Sequence, residues 1–402
     1  MVLECDVLVV GAGVSGLVSA LKLSKEGLKV IVIEKTKKIG QHTKTKIDVT
    51  ESGGVEEIAK ELKLSFLGSS HISKWFSQNN SFTYKSKEKD LFVKRGPAND
   101  SFESIAYKNA LKQGVTFLFN AAPKKFIFEN NILTTAIINQ AGKTKEIQAK
   151  YFIGADGTDS KSVSLAGISQ ATSSGVEIAG YGITGTNFDM PESTTHVFFD
   201  SIHAPGGYFF IAKTKNGLGV ASVVVNKARI KKNIKKYYSA FVNANKVLKK
   251  FLKKPRIVNE FYGSCRTFPL KKHVKNNFLV VGDAARVMDP IFAYGVRPAI
   301  ISGYSAAETI IDAFREGKTG LGDYEKQISG LVGGKLDFFA RKAYDKLGNP
   351  DFDFLVGCAS YLQEKNKLDD AFDNPFGCMH LFIKHFLKSP ARSAKLIFRA
   401  LF

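Results

Sequence analysis

Along the first forty residues the period of the apolar positions changes twice. Residues 5–10 (CDVLVV) form a short β-branched run that predicts a strand. Gly11-Ala12-Gly13-Val14-Ser15-Gly16 follows at once, and LVSALKLSKEG then places apolar residues at 17, 18, 20, 21 and 23 on a helical period, with Gly27 as its stop. Residues 28–33 (LKVIVI) predict a second strand ending in Glu34. Two more apolar runs precede glycine-rich turns: residues 151–154 before Ala155-Asp156-Gly157, and residues 278–281 (FLVV) before Gly282-Asp283-Ala284-Ala285. After Gly295-Val296 the run PAIISGYSAAETIIDAF reads as a helix. The stretch from 171 to about 225 is strand-rich, and 321–402 is helical in pattern.

The first of these junctions carries chemistry. Gly11 permits a tight turn, Gly13 lets the backbone touch a pyrophosphate, and Gly16 lets helix and strand pack closely. The helix N-terminus then presents free N–H groups and a positive dipole end to the phosphates. Glu34 stands 18 residues after Gly16, where a carboxylate can accept ribose hydroxyls. A lone GxGxxG is a weak signal, but the full strand–GxGxxG–helix–strand–Glu order makes this a dinucleotide site, for NAD or FAD.

Composition narrows the class without changing this picture. A chain of 402 residues with 44% apolar and 24% charged residues is globular, of two or three domains. Lysine and arginine number 58 against 37 acids, a net charge of +21, which favours anionic partners. Cys5, Cys265, Cys358 and Cys378 show no CxxC spacing, and the seven histidines show no ligand spacing, so no metal site is expected. Scattered thiols suit a reducing cytoplasm. Glu4 and Asp6 stand where a signal peptide would be basic, and no apolar run reaches membrane-spanning length. The expected location is cytoplasmic, with a peripheral seat at the inner face of the membrane.

In order and spacing, GxGxxG, the segment YFIGADGTDS (151–160) and FLVVGDAARVMDPIFAYGVR (278–297) resemble the three fingerprints of the FAD-dependent aromatic-hydroxylase superfamily. The resemblance implies FAD as cofactor. Gly11, Ala12, Gly13, Ser15 and Gly16 would cradle its pyrophosphate, and Glu34 with Lys35 would hold the ribose end. Asp156 and Gly157 would lie near the pyrophosphate, Asp156 in a largely structural role. Gly282 and Asp283 would meet the ribityl chain. Pro290, Gly295 and Val296 would approach the isoalloxazine, where the helix N-terminus stabilises the anionic edge of reduced flavin.

Three further features resemble the geranylgeranyl reductase family within that superfamily. Lys94-Arg95-Gly96-Pro97 precedes a helix and GVTFLFNA, Pro205-Gly206-Gly207-Tyr208 leads into a strand pair, and the GDAA…P…G…SG run enters a helical final third. The resemblance implies that Arg95, with Thr45, Lys46 and Ala122, contacts FAD. It also implies reduction of isoprenoid double bonds, in archaeal-type membrane lipid precursors, by hydride from flavin N5 and a delivered proton. The family's Cys–Gly pair after the second strand is missing. That region reads IGQHTKTKIDVT, with His42, Thr45 and Lys46 in its place.

Tyr208, His42 and Tyr294 are the proton-relay candidates, and Phe198, Phe209, Phe210 and Phe292 the candidate walls of an apolar substrate tunnel. No second GxGxxG is present, so electrons come from transient NAD(P)H or from an acidic ferredoxin-like carrier. The expected partners are a prenylated lipid, a membrane surface and such a carrier, with no nucleic acid. Two other functions share the cofactor motifs: an FAD monooxygenase acting on an apolar substrate, and an FAD-stabilised lipid-binding protein without turnover.

Two basic regions stand out. Residues 227–259 hold twelve Lys/Arg and no acid, and Lys384, Lys388, Arg392, Lys395 and Arg399 mark one stripe of a final amphipathic helix. The expected architecture is α/β: a discontinuous Rossmann-type FAD domain (1–170 and 260–320), an inserted, mainly antiparallel β substrate domain (171–259) and a helical C-terminal region (321–402).

Overall fold

The computed structural model describes residues 2–170, 175–317, 321–331 and 335–368. In chain order its elements are β1 (Val2–Val10), α1 (Val14–Lys25), β2 (Val30–Glu34), β3 (Lys46–Glu51), α2 (Val55–Glu61), β4 (Gly68–Phe76), β5 (Ser81–Arg95), α3 (Phe102–Lys112) and β6 (Thr116–Phe119). There follow β7 (Ala121–Glu129), β8 (Ile132–Gln140), β9 (Lys143–Gly154), α4 (Lys161–Leu165), β10 (Glu177–Thr186), β11 (Thr194–Phe198), β12 (Tyr208–Lys213) and β13 (Gly219–Asn226). The chain continues through α5 (Ile234–Ala244), α6 (Lys246–Phe251), β14 (Arg256–Arg266), β15 (Val274–Lys275), β16 (Phe278–Val280), α7 (Val296–Glu316), α8 (Gly322–Ser329), α9 (Lys335–Lys346) and α10 (Asn349–Glu364).

These elements divide into two compact units. The first comprises residues 2–67, 91–177 and 264–331, and the second residues 68–90, 178–263 and the described residues from Lys335 on. In the first unit β1 lies between β2 and β9, paired in parallel with both. β16 extends the parallel sheet beyond β9, and β6 extends it beyond β2. The run Val7–Val10 is buried on both faces, as a central parallel strand requires. α1 packs against α3 and α7. The Ser19 hydroxyl donates to the Gly303 carbonyl at 2.8 Å, and a side chain at Gly303 would collide with the Ser15 carbonyl. That close approach sets the start of α1 beside α7.

The sheet of the second unit runs β14-β10-β13-β12-β11-β4-β5. Its pairings are antiparallel from β10 to β11, whereas β11 and β4 are parallel. Alternation assigns the faces. Tyr181, Ile183, Phe209, Ile211, Val223 and Val225 form one core with Ile234 and Phe241 of α5 and Leu248 of α6.

The division differs from the sequence expectation in two places. Residues 68–90, expected in the FAD domain, join the second unit because β4 takes its hydrogen bonds from β11, with Thr194 opposite Ile72 and Phe198 opposite Phe76. The helical C-terminal region also does not stand as one piece. α8 belongs to the first unit, where the Tyr324 hydroxyl donates to the Val280 carbonyl at 2.8 Å and Glu325 accepts from the His273 N–H at 2.9 Å. α9 and α10 belong to the second, where Arg341 Nη2 donates to the Gly206 carbonyl at 2.5 Å and Asp353 accepts from the Asn79 side chain at 2.6 Å. The basic stripe at 384–399 lies outside the described residues.

Candidate FAD-binding site

The glycine loop between β1 and α1 assigns its three glycines different tasks. Gly11 has φ +107°, and a side chain there would collide with the Ala155 carbonyl, while one at Gly16 would collide with the Gly11 carbonyl. Both are therefore demanded by the protein's own packing. At Gly13 an added Cβ would meet nothing within 4 Å. Gly13 is also the N-cap of α1, without a side-chain cap, and the first turn carries no acid. The first-turn N–H groups thus face an open approach suited to an anion. Ser15 is buried, and Gly282, at φ +59°, has no room for a side chain beside its hydroxyl.

Glu34 closes β2 with its carboxylate already engaged. Oε2 accepts from the Ala12 N–H at 3.0 Å, and Oε1 accepts from the Thr36 N–H at 2.9 Å and the Thr36 hydroxyl at 2.8 Å. A carboxylate offers about four acceptor positions, so these bonds orient it and leave about one for a ribose hydroxyl. Lys35 beside it is exposed.

A buried charge cluster stands behind the KRGP turn. Arg95 donates from Nε to Glu103 at 2.6 Å and from Nη1 to Asp48 at 2.9 Å, and Lys46 pairs with the other Asp48 oxygen at 2.9 Å. Burial pushes the Asp48 carboxyl up, but the charges of Lys46 and Arg95 outweigh it and hold the group below its usual range. Arg95 Nη2 is left without a partner among the described residues. Gly96, at φ +102°, lies so close to Thr43 and Thr45 that a Cβ would approach their backbone to 2.8 Å. That contact fixes the loop carrying His42, which is exposed, and Thr45, which is half-buried. Sequence reasoning missed Asp48 and Glu103. The available signals were the Lys46–Asp48 alternation and Glu103 following the Ser101 N-cap.

Asp156 accepts from the Ser162 N–H at 2.8 Å, from the Ser162 hydroxyl at 2.7 Å and from the Ser160 hydroxyl. It spends its side chain on the start of α4, and Gly157 beside it has open space at φ +79°. Ala122 is half-buried on β7, opposite Asn139.

Unlike Asp156, the half-buried Asp283 accepts no hydrogen bond at its carboxylate from the described residues. Burial raises its pKa, partly offset by Arg95, Lys46 and Arg286. Beyond it, Asp289 accepts from the N–H groups of Ile291 at 2.9 Å and Phe292 at 2.5 Å, and donates its own to the Tyr294 carbonyl at 3.1 Å. This closed turn contains buried Pro290, brings the Phe292 and Tyr294 rings within 6.1 Å, and delivers Gly295 as the N-cap of α7. In the first turn of α7 the Arg297 N–H is taken by the Thr50 hydroxyl at 2.9 Å and Pro298 has none. The Val296 N–H is left as the donor at that helix end. The Cys265 thiol, held neutral by burial, lies within electrostatic reach of Asp283 and Lys46. It is a group near the site that sequence reasoning did not single out.

The remaining candidates lie in the second unit. Tyr208 is buried on β12, and Phe210 follows on the same face at 6.3 Å. Phe198 and Phe209 point to the other face, where they pack in the core with Phe241. The alternation of a strand places Phe209 and Phe210 on opposite sides.

An open phosphate approach, an unsatisfied carboxyl at Asp283 and a free N–H at Val296 fit FAD, and they define a flavoprotein of Rossmann type. The family described as FAD binding domain matches residues 4–329, and the chain belongs to it. Digeranylgeranylglycerophospholipid reductase 1 of Methanococcoides burtonii is 27% identical over 368 residues, covering 88% of this chain and 87% of that protein. The digeranylgeranylglycerophospholipid reductase of Methanosarcina acetivorans is 28% identical over 371 residues, covering 87% of each. Among solved structures, a geranylgeranyl bacteriochlorophyll reductase-like protein from Thermoplasma acidophilum shares the fold, with a TM-score of 0.79, 23% identity and coverage of 90% of this chain and 92% of that one.

Proposed function

We propose that this flavoprotein reduces carbon–carbon double bonds of geranylgeranyl chains in archaeal-type membrane lipid precursors. The observation that carries the reading is similarity to digeranylgeranylglycerophospholipid reductases along 88% of the chain. Reduced FAD supplies the hydride for an isolated alkene, which no carbonyl activates. The chain's residues must bind, orient and exclude water. The glycine loop and Glu34 anchor the nucleotide end, and Asp283 takes a ribityl hydroxyl. Val296 N–H with the α7 dipole favours negative charge at the ring edge. Arg95 offers its remaining donors from a guanidinium that Glu103 and Asp48 hold rigid.

Tyr294, Tyr208 and His42 are the proton-relay candidates. Tyr294 has the strongest support, being built into the same closed turn that delivers Gly295. Phe292 and Phe210 are the remaining tunnel candidates. The substrate's lipid character calls for a peripheral membrane seat, and the surplus of lysine suits an acidic ferredoxin-like carrier as electron donor, with NAD(P)H as the other candidate. No helix among the described residues is long and apolar enough to cross a membrane.

The test is anaerobic. Purified yellow protein is reduced with dithionite and mixed with digeranylgeranylglycerophospholipid in detergent micelles. Flavin absorbance and the mass of the lipid are then followed. Reoxidation with two hydrogens gained per double bond is the expected result. An unchanged lipid that gains oxygen only when air is admitted would replace the proposal with a monooxygenase.

A further inference from the structure

The second unit carries a face that the proposed chemistry does not use. α5 and α6 bury Ile234, Phe241 and Leu248 against the sheet and turn their remaining surface outward. From Lys227 to Asn259 the chain holds ten lysines, two arginines and no acid, and every one of these cations is exposed. Lys235 pairs with Glu260 at 2.7 Å. Lys249, Lys250, Lys253, Lys254 and Arg256 make no ion pair with the described residues.

Large apolar side chains are exposed beside these cations. On β14, which flanks the cations, Ile257 is 50% exposed, Val258 59% and Tyr262 58%. Beside them a cavity of about 220 Å³ opens between α5 and β14, with Ile183, Val242, Leu252 and Ile257 among its walls. The Tyr238 hydroxyl also lines it, buried and without a hydrogen-bond partner, whereas the Tyr181 hydroxyl donates to Glu260 at 2.7 Å. The cavity wall is apolar apart from Ser239 and the Lys235–Glu260 pair, and with Tyr238 as an unsatisfied donor it matches a largely apolar molecule that carries an acceptor oxygen near one end.

We propose that α5, α6 and β14 form a docking surface for an anionic lipid bilayer. The lysines meet lipid phosphates, Val258 and Tyr262, which share one face of β14, enter the acyl boundary, and the cavity walled by Ile257 seats part of the chain of one interfacial lipid, whose ester or ether oxygen accepts from Tyr238. Exposed apolar side chains at Val258 and Tyr262 beside cations that no acid of the 227–259 stretch neutralises favour this occupant over a soluble acidic protein. The inference deepens the lipid-substrate reading and rests on it for its purpose, not for its geometry.

The experiment uses FAD-loaded full-length protein and co-sedimentation with vesicles of about one-third phosphatidylglycerol in phosphatidylcholine. Binding is expected to these vesicles, to weaken with salt and to vanish on phosphatidylcholine alone. Replacing Lys249, Lys250, Lys253 and Lys254 by Gln should weaken binding by roughly several hundredfold, because each lysine near the surface adds a factor of about five. A control with the same charge change, Lys112, Lys124, Lys125 and Lys143 to Gln, should stay within about threefold, since those exposed residues lie on the first unit. Val258→Ser with Tyr262→Ser should remove the binding that survives high salt. Flavin absorbance and melting temperature confirm that each variant is folded. Equal losses in both quadruple variants, or no binding to the anionic vesicles, would overturn the proposal. So would capture of an acidic ferredoxin by a protein that ignores vesicles. Vesicle binding is read without turnover and micellar lipid reduction without vesicles, so either reading can fail alone.

Discussion

At the scale of the residue, two neighbouring glycines should respond in opposite ways. Gly11→Ala places a Cβ against Ala155 at a φ of +107°, so the apoprotein itself should lose about 2 kcal/mol or more by urea denaturation. Gly13→Ala meets nothing within 4 Å and should leave apoprotein stability within about 0.5 kcal/mol, while FAD affinity falls by roughly an order of magnitude in a fluorescence titration. A buried histidine supplies a pH dependence. His196 sits against Phe76 and Phe251 with its Nδ1 unpartnered, and burial, helped by Lys74, lowers its pKa from 6.5 to about 4. The unfolded chain takes up this proton first as pH falls. The stability that neutral His196 contributes is therefore complete above pH 6.5 and drains away towards pH 4. His196→Phe should reduce the stability lost between about pH 7 and pH 4.5 by about 2 kcal/mol, read from urea curves at the two values.

At the scale of the element, the turn Pro205–Tyr208 depends on a helix more than a hundred residues away. Arg341 is 2% exposed, donates to the Gly206 carbonyl at 2.5 Å and to Asp345 at 2.5 Å, and Asp345 accepts from Asn226 at 3.1 Å. The Tyr344 hydroxyl donates to the Gly207 carbonyl at 2.9 Å. Removing one partner of a buried pair strands the other. Arg341→Met should thus cost about 3–5 kcal/mol, and Asp345→Asn, which keeps a hydrogen-bonding group, clearly less. The PGGY motif was legible as the entry to a strand pair, and β12 and β13 pair as expected. The clamp was not legible. The lysine-rich final region from residue 321 holds three arginines, Arg341, Arg392 and Arg399, among many lysines and acids, and nothing local marks which cation and which acid will be buried together.

At the scale of the whole molecule, the segments proposed to cradle FAD are dispersed along the chain, at 11–16, 34, 95 and 282–296. Adding FAD to apoprotein should therefore give its largest hydrogen-exchange protection in those separate peptides at once. At free FAD a hundredfold above its dissociation constant, the gain in unfolding free energy should reach about 2.7 kcal/mol, read by denaturant titration. Protection confined to the glycine loop alone would show that the Asp283–Val296 end does not take part. The same dispersion explains why the domain boundaries were harder to read than the motifs. The stretch 68–90 carries no compositional break, and its place in the second unit comes from parallel pairing with β11 and from the hydrogen bonds of Asn79 and Asn80 to Asp353 of α10.

The sequence by itself determined the dinucleotide junction, the order of the three flavin segments and the strand pair after Gly207. Each of these depends on neighbours within about twenty residues, where turn stereochemistry and the period of apolar side chains leave one geometry. Tertiary structure alone decided that Glu103 and Asp48 brace Arg95, that Phe209 is core while Phe210 lies on the opposite face, and that the final helices divide between the units. Those outcomes depend on strand register and on which charges become buried together. Both are fixed by contacts between residues far apart in the chain, whose energies no local pattern records.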